Sequence, residues 1–305
     1  MADRDDLTRR SVLKASAAAA GLGLAGTASA SEDGGLAGAE PIPCVDVTDA
    51  RSDLEVVDAA SVAPETSSGI GPGSFLLISR GGTTAGCTAN FVWDDGDDVY
   101  LGAAGHCFLP GETAASKSAG GSFDATNQTV EVCIDCAFGG ATGLNGITGG
   151  RLVELGEVVY ARQSENGVGP GNDFGLVRIP EEARGLIDTS MPKFGGPAGT
   201  GTLEAGETAC HYGNAVAFGE TFLTKGRSGA GLGSTDDVWR AATASAPGDS
   251  GAAVQTCNPS VTGLQGAQAV GALTHLTTNG VAGTTMSRAE EMAAEADLDI
   301  TPRLG

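Results

Sequence analysis

The sequence predicts an all-β protein closed by one C-terminal helix, and three observations carry that expectation. Glycine is abundant, 49 of 305 residues, while aromatic side chains make up only 5%. Apolar runs are short and bounded by turn formers, as many strands joined by tight turns require. Helical periodicity with a capping signal closes the chain, where Ala289, Met292, Ala293, Ala296 and Ile300 recur at helical spacing behind Ser287 and Glu290.

The elements follow in order. Thr8-Arg9-Arg10-Ser11-Val12-Leu13-Lys14 places paired arginines ahead of a small apolar stretch, and Ala28-Ser29-Ala30 offers a small-residue cleavage site. Residues 1–30 therefore resemble a twin-arginine export signal, which predicts a secreted, extracellular protein. The stretch from Ala15 to Ala25 is too short for a membrane span, so no stable membrane association is expected. Residues 31–75 are rich in Ser, Gly, Ala, Asp and Glu and read as an acidic flexible extension or a pro-segment. Strands are expected at Ser74 to Ser79, Thr88 to Trp93, Asp98 to Ala103, Thr129 to Cys133, Glu154 to Tyr160 and Phe174 to Ile179. Turn formers between Pro180 and Gly201 mark a crossover. Further strands are expected at Thr208 to Tyr212, Phe218 to Lys225, Val238 to Ala244, Gly251 to Gln255 and Val270 to His275, with the helix over residues 288–298.

The charge is extreme: 38 acidic residues against 17 basic ones, a net −21. The first thirty residues hold four of the bases and three of the acids, so the acidity belongs to the remainder. A dense carboxylate surface suits solubility where salt screens charge at short range; recruitment of a basic partner or a divalent cation is the alternative. Nucleic acid is excluded as a partner by the same repulsion.

Pro247-Gly248-Asp249-Ser250-Gly251 brackets a serine with glycines. A serine hydroxyl needs an adjacent base, and that base needs an orienting group. The chain has three histidines, and one lies in Ala103-Ala104-Gly105-His106-Cys107. An aspartate follows in Asn172-Asp173-Phe174-Gly175-Leu176-Val177, giving the order His106, Asp173, Ser250. An α/β-hydrolase would need the acid after the serine and a glycine at position 252. Here Ala252 stands there, and no acid lies between Ser250 and His275.

These three blocks, with Ala246-Pro247 before the serine and Lys225-Gly226-Arg227-Ser228-Gly229-Ala230-Gly231, resemble the chymotrypsin-fold (trypsin-like) serine peptidases, in particular their secreted streptogrisin-like branch. The resemblance spans roughly residues 78 to 300. It implies two six-stranded antiparallel β-barrels of chymotrypsin type with a C-terminal helix: a domain over 76–305, barrel one about 76–185 and barrel two about 195–286. It implies His106 as general base and acid, Asp173 as its orienting carboxylate, Ser250 as nucleophile, and the backbone N–H groups of Gly248 and Ser250 as the oxyanion hole. Ala252 departs from the family's usual second glycine. Asp249 would be buried beside the nucleophile and must find a cation, for which Arg227 is the candidate.

Ala244 stands where trypsin-like members carry a pocket aspartate, so cleavage after Lys or Arg is not expected. Leu273, Thr274 and His275 look like the strand lining the specificity pocket, with His275 a pocket wall or a partner for an acidic side chain; His211 is expected to be structural. Seven cysteines in an exported chain suggest disulfides. Cys87 and Cys107 flank a hairpin that brings them together, and a family bridge joins such positions; Cys210 and Cys257 resemble another. Cys44, Cys133 and Cys136 remain, with one cysteine necessarily unpaired or intermolecular. Cys133-Ile134-Asp135-Cys136 fits a local bridge or a tether to Cys44 better than half a zinc site, so no metal and no cofactor are expected. The expected activity is that of a monomeric endopeptidase acting on proteins or peptides in high salt. The competing expectation is a catalytically inactive, protease-like extracellular binding module.

Overall fold

Each half of the chain folds six strands into a ring, and the two rings share one order. The computed structural model describes residues 36, 38–109, 128–138, 147–163, 169–215, 225–257 and 267–305. In the first half the strands are β1 (Phe75–Arg80), β2 (Thr83–Thr88, continued by Val92–Asp94), β3 (Val99–Ala103), β4 (Gln128–Ile134), β5 (Arg151–Glu154, continued by Val158–Arg162) and β6 (Phe174–Arg178). In the second they are β7 (Thr208–Tyr212), β8 (Gly226–Ser234), β9 (Val238–Ala242), β10 (Ala253–Thr256), β11 (Gln268–Thr277) and β12 (Gly280–Thr285).

All the ring pairings are antiparallel. β1 pairs β2, β2 pairs β3, β3 pairs β6, β6 pairs β5, β5 pairs β4, and β4 returns to β1. The second ring repeats that circuit with β7, β8, β9, β12, β11 and β10. Closure removes the exposed sheet edges that invite aggregation. Leu76, Ile78, Leu101, Val130, Val132, Val153 and Val177 fill the first barrel, and Trp239, Ala241, Val254, Val270, Leu273 and Val281 the second. A third cluster joins them: Trp93, Phe174 and Leu176 from the first half, Cys210 and Ala253 from the second, and Met286, Met292 and Ala293 from the C-terminal helix.

Residues 38–74, expected as a flexible extension or pro-segment, are built onto the barrels. β1 has apolar side chains on both faces: Leu76 and Ile78 point to the barrel interior, while Phe75 and Leu77 belong to a second cluster. Alternating apolar faces both need cover, and Val47 and Leu54 supply it on the outside. Val45–Asp46 adds to β2, Glu55–Val56 adds in parallel to β5, and Glu40–Pro41 adds to β11. Arg51 grips the buried Glu131 carboxylate with two hydrogen bonds of 2.6 Å.

One expected boundary moves, one strand was not expected, and one expectation falls outside the described residues. The helix runs over Met286–Ala294, and its cap is Thr285, whose side chain accepts from the Arg288 N–H at 3.2 Å; Ser287 instead bonds the Asp236 carbonyl. β12 lacks the large residues of a typical strand because its glycines lie against neighbouring backbone: a Cβ on Gly283 would sit 1.8 Å from the Ala272 oxygen. The strand expected at Phe218 to Lys225 falls almost wholly on residues outside those described, and β8 begins at Gly226.

Candidate active site

The junction between the barrels gathers the three sequence blocks. His106 sits in a single helical turn, Gly105–Phe108, directly after β3. Gly105 is needed there, since a Cβ would lie 1.9 Å from the Arg162 carbonyl oxygen. Asp173 immediately precedes β6 and is fully buried, with its backbone oxygen accepting from Thr284 Oγ1 at 2.9 Å. Ser250 lies in the tight turn before β10, where Gly248 has φ +99° and Gly251 φ +90°. A Cβ on Gly251 would meet the Thr88 oxygen at 2.3 Å, so that turn admits only glycine.

The side chains form one relay. His106 Nδ1 lies 2.6 Å from Asp173 Oδ2, the His106 backbone N–H donates to Asp173 Oδ1 at 3.0 Å, and Ser250 Oγ lies 2.6 Å from His106 Nε2. A buried carboxylate beside Nδ1 fixes the proton there and leaves Nε2 facing the serine. Burial of the ring is the largest influence on His106 and opposes its charge. The Asp173 charge and hydrogen bond, with a further carbonyl contact from Ile42, outweigh it and hold the imidazolium above the usual histidine range. Burial likewise opposes ionisation of Asp173, but His106, and next His275, hold it below the ordinary carboxylate range.

The turn is braced from both barrels. Thr88, at the end of β2, donates its N–H to the Ser250 carbonyl and its hydroxyl to the Gly248 carbonyl, each at 2.8 Å. Asp249 is fully buried and pairs with Arg227. Its remaining lone pairs accept from the Ala215 N–H, the Ala246 N–H and Ser245 Oγ, each at 3.0 Å.

The four residues expected around the specificity pocket divide. Leu273 packs into the second-barrel core. The Ala244 carbonyl accepts from His211 Nε2 at 3.2 Å; burial first, then the Arg227 charge, hold that imidazole neutral. Thr274 donates to the Pro170 carbonyl at 3.4 Å. His275 is fully buried, with Nδ1 2.8 Å from Thr274 Oγ1 and 3.9 Å from Asp173 Oδ2, so this edge of its ring faces the triad carboxylate rather than a pocket.

Sequence reasoning missed Thr88 and the segment Glu40 to Pro43. Thr88 follows a cysteine whose bridge was expected, but nothing in its own neighbourhood marks it. The segment lies against the triad: the Ile42 N–H donates to the Thr274 carbonyl at 2.8 Å, the Ile42 carbonyl is 2.9 Å from His106 Nε2, and the Pro43 carbonyl accepts from the Gly248 N–H at 3.0 Å.

Cys133 is bridged to Cys136 and Cys210 to Cys257. Cys133–Cys136 is thus a local bridge, its turn completed by Asp135 at φ 57°, and Cys44 does not tether it. Cys87 lies at bonding distance from both Cys44 and Cys107.

No family model matches the chain, and no curated protein does. Among solved structures the chain is similar to Thermobifida fusca protease A, at 17% identity over 77% of this chain and 99% of that one, TM-score 0.41. It is similar to the thermostable serine protease AL20 from an extremophilic microorganism, at 13% identity over 74% and 95%, TM-score 0.47. It is also similar to a scabies mite inactivated protease paralogue, at 9% identity over 87% and 100%, TM-score 0.41. Likenesses this distant, with an inactivated protein among them, leave the chemistry to be read from the site.

Proposed function

We propose that the protein is a serine endopeptidase that cleaves peptide bonds through an acyl-enzyme. The observation that carries this is the unbroken relay Asp173–His106–Ser250, with both of its links at 2.6 Å. In the reaction neutral His106 accepts the Ser250 proton through Nε2 as Oγ attacks the carbonyl carbon. The carbonyl oxygen then becomes an oxyanion, which takes hydrogen bonds from the N–H groups of Gly248 and Ser250. His106 next delivers its proton to the departing amine, and water repeats the sequence to release the acid. Asp173 stabilises the imidazolium formed in each half. All three triad members and their glycine turn favour this over an inactive binding module. The leader, the disulfides and the acid surface support export by the twin-arginine route and a working place rich in salt. Among the described residues no helix is long and apolar enough to cross a membrane.

Fluorophosphonate labelling in strong salt tests the reading: Ser250 takes the label, and Ser250→Ala does not. A folded protein that takes no label either as the parent or as Cys44→Ser would leave the binding module as the better account. Gly248→Ala is expected to lower kcat by about 10²–10³ with little change in KM, because one donor leaves the developing oxyanion. The added Cβ would sit 2.8 Å from the Asn214 oxygen at a φ that L side chains rarely adopt. Steady-state kinetics on a peptide ester checks it.

The pH dependence has a definite sign. Only neutral His106 accepts a proton, and Asp173 favours its charged form. Activity should therefore rise with pH through an acid limb lying above about 6.5, the ordinary histidine value. A kcat/KM profile flat from pH 8 to pH 5 would remove His106 from the mechanism.

A further inference from the structure

We propose that Glu40-Pro41-Ile42-Pro43 is a built-in occupant of the substrate cleft, tethered by a Cys44–Cys87 bond. On this proposal the cleft selects an extended peptide with a β-branched aliphatic residue where Ile42 lies, and the site stays latent until Cys87 exchanges Cys44 for Cys107. The proposal rests on the peptidase reading of the triad.

Four features place the segment as a substrate would be placed. Glu40 and Pro41 pair antiparallel with Leu276 and His275, extending β11 by a short strand, and Ile42 continues the pairing to the Thr274 carbonyl. Strand addition of this kind supplies main-chain affinity while alternate side chains supply selectivity. The Ile42 side chain is wholly buried and packs with the second-barrel cluster, which holds Ala252, two residues after Ser250, and Leu273, whose carbonyl accepts from the Gly251 N–H. That environment fits an aliphatic group and offers a carboxylate or ammonium nothing but desolvation. Finally, the Pro43 carbonyl takes the Gly248 N–H, the donor meant for an oxyanion.

The same contacts make the occupant an inhibitor. In a reacting complex one carbonyl faces the oxyanion donors while Nε2 is free to receive the Ser250 proton. Here the duties are split between residues: Pro43 offers its oxygen to Gly248, and Ile42 offers its oxygen to Nε2. An oxygen acceptor at 2.9 Å from Nε2 is satisfied only when that nitrogen carries a proton. With Nδ1–H already given to Asp173, that state is imidazolium, which cannot act as base.

The tether follows from the cysteines. Cys44 comes directly after Pro43, and Cys107 directly after His106. The ligand atoms of Cys44, His106 and Cys107 lie within 4.8 Å of one another. Cα separations of 5.3 Å for Cys44–Cys87 and 6.6 Å for Cys87–Cys107 both admit a bridge, yet a sulfur forms only one. Exchange conserves atoms and electrons. The Cys107 thiolate attacks Cys87 Sγ, a Cys87–Cys107 bond forms as Cys44–Cys87 breaks, and Cys44 departs as a thiolate that takes up a proton. Residues 45–57 stay behind, fixed by the Arg51–Glu131 pair and by Val47 and Leu54.

The test compares fluorophosphonate labelling rates of the oxidised parent, Cys44→Ser and Ile42→Asp, with peptide mapping of Cys87. The parent should label at least about ten-fold more slowly than Cys44→Ser, because the disulfide pins residues 40–43 in the cleft at a higher effective concentration than the peptide link at Val45 alone. Mapping should find Cys44–Cys87 in the slow form. Added acetyl-Glu-Pro-Ile-Pro-amide should slow Cys44→Ser again, and Cys44→Ser should cleave peptides after Ile or Val faster than after Glu or Lys. Should Ile42→Asp fail to fold, Cys44→Ser and the peptide decide alone. Equal rapid labelling of parent and Cys44→Ser overturns the occupant while leaving the peptidase standing. No label on any folded form, with Cys44 released, overturns the peptidase reading and the occupant's role with it.

Discussion

Replacing Ser250 by alanine is expected to lower kcat on a peptide substrate by a factor on the order of 10⁶, leaving substrate binding nearly unchanged, because members of such a triad act as a unit. The structure explains why no neighbour should substitute. Cys107 Sγ lies 3.7 Å from Ser250 Oγ, but bridged to Cys87 it has no thiolate to offer, and nothing places it on His106 Nε2 as Ser250 is placed at 2.6 Å. Asp173→Asn should cost less, on the order of 10⁴, since the nucleophile and oxyanion donors survive while the imidazole loses its correct tautomer. Single-turnover measurements on Cys44→Ser, in which the cleft is unoccupied on the proposal above, separate these losses from occupancy by residues 40–43. Residual activity in Ser250→Ala above that of Asp173→Asn would mean that the nucleophile is elsewhere.

Much of this site was readable because its parts are local in sequence. Gly248, Asp249, Ser250 and Gly251 are consecutive, and their backbone demands can be seen in the residue types: two positive-φ glycines around a buried turn. The strands of both rings were mostly visible as short apolar runs. β12 was hidden, since Gly280, Ala282 and Gly283 are small for packing reasons set by β9 and β11, and a pattern of small residues carries no period. The segment from Glu40 to Leu54 was hidden for another reason. Its residues read as acidic and loosely apolar, and only the two-faced burial of β1, more than twenty residues later, gives Val47 and Leu54 a place to go. His275 shows the same limit: its place on a strand reads as a pocket wall, and only the fold shows that its Nδ1 lies toward Asp173. Long-range complementarity leaves no trace in a local window.

Arg227→Leu should be the costliest change away from the reacting atoms. Asp249 is fully buried, and Arg227, itself nearly so, is its paired cation. Breaking such a pair by removing one partner typically costs about 3–5 kcal/mol, because the other charge stays buried without compensation. That is a large share of the roughly 5–15 kcal/mol by which folded domains exceed their unfolded states. The three uncharged donors on Asp249 soften the loss without cancelling the charge. Urea unfolding should show a lowered midpoint at unchanged slope. Asp249→Asn added to Arg227→Leu should recover part of the loss, since a neutral amide needs no cation; a cycle in which the two changes simply add would mean the pair is uncoupled. Activity should fall as well, because Asp249 lies between Gly248 and Ser250, the proposed oxyanion donors. Its hydrogen bonds to Ala215, Ser245 and Ala246 fix the backbone between Gly248 and Ser250, and a loosened carboxylate frees that turn to shift. A variant that unfolds more easily yet keeps full kcat in strong salt would make Asp249 a stabilising anchor alone and leave the aim of the donors to Thr88 and the glycines.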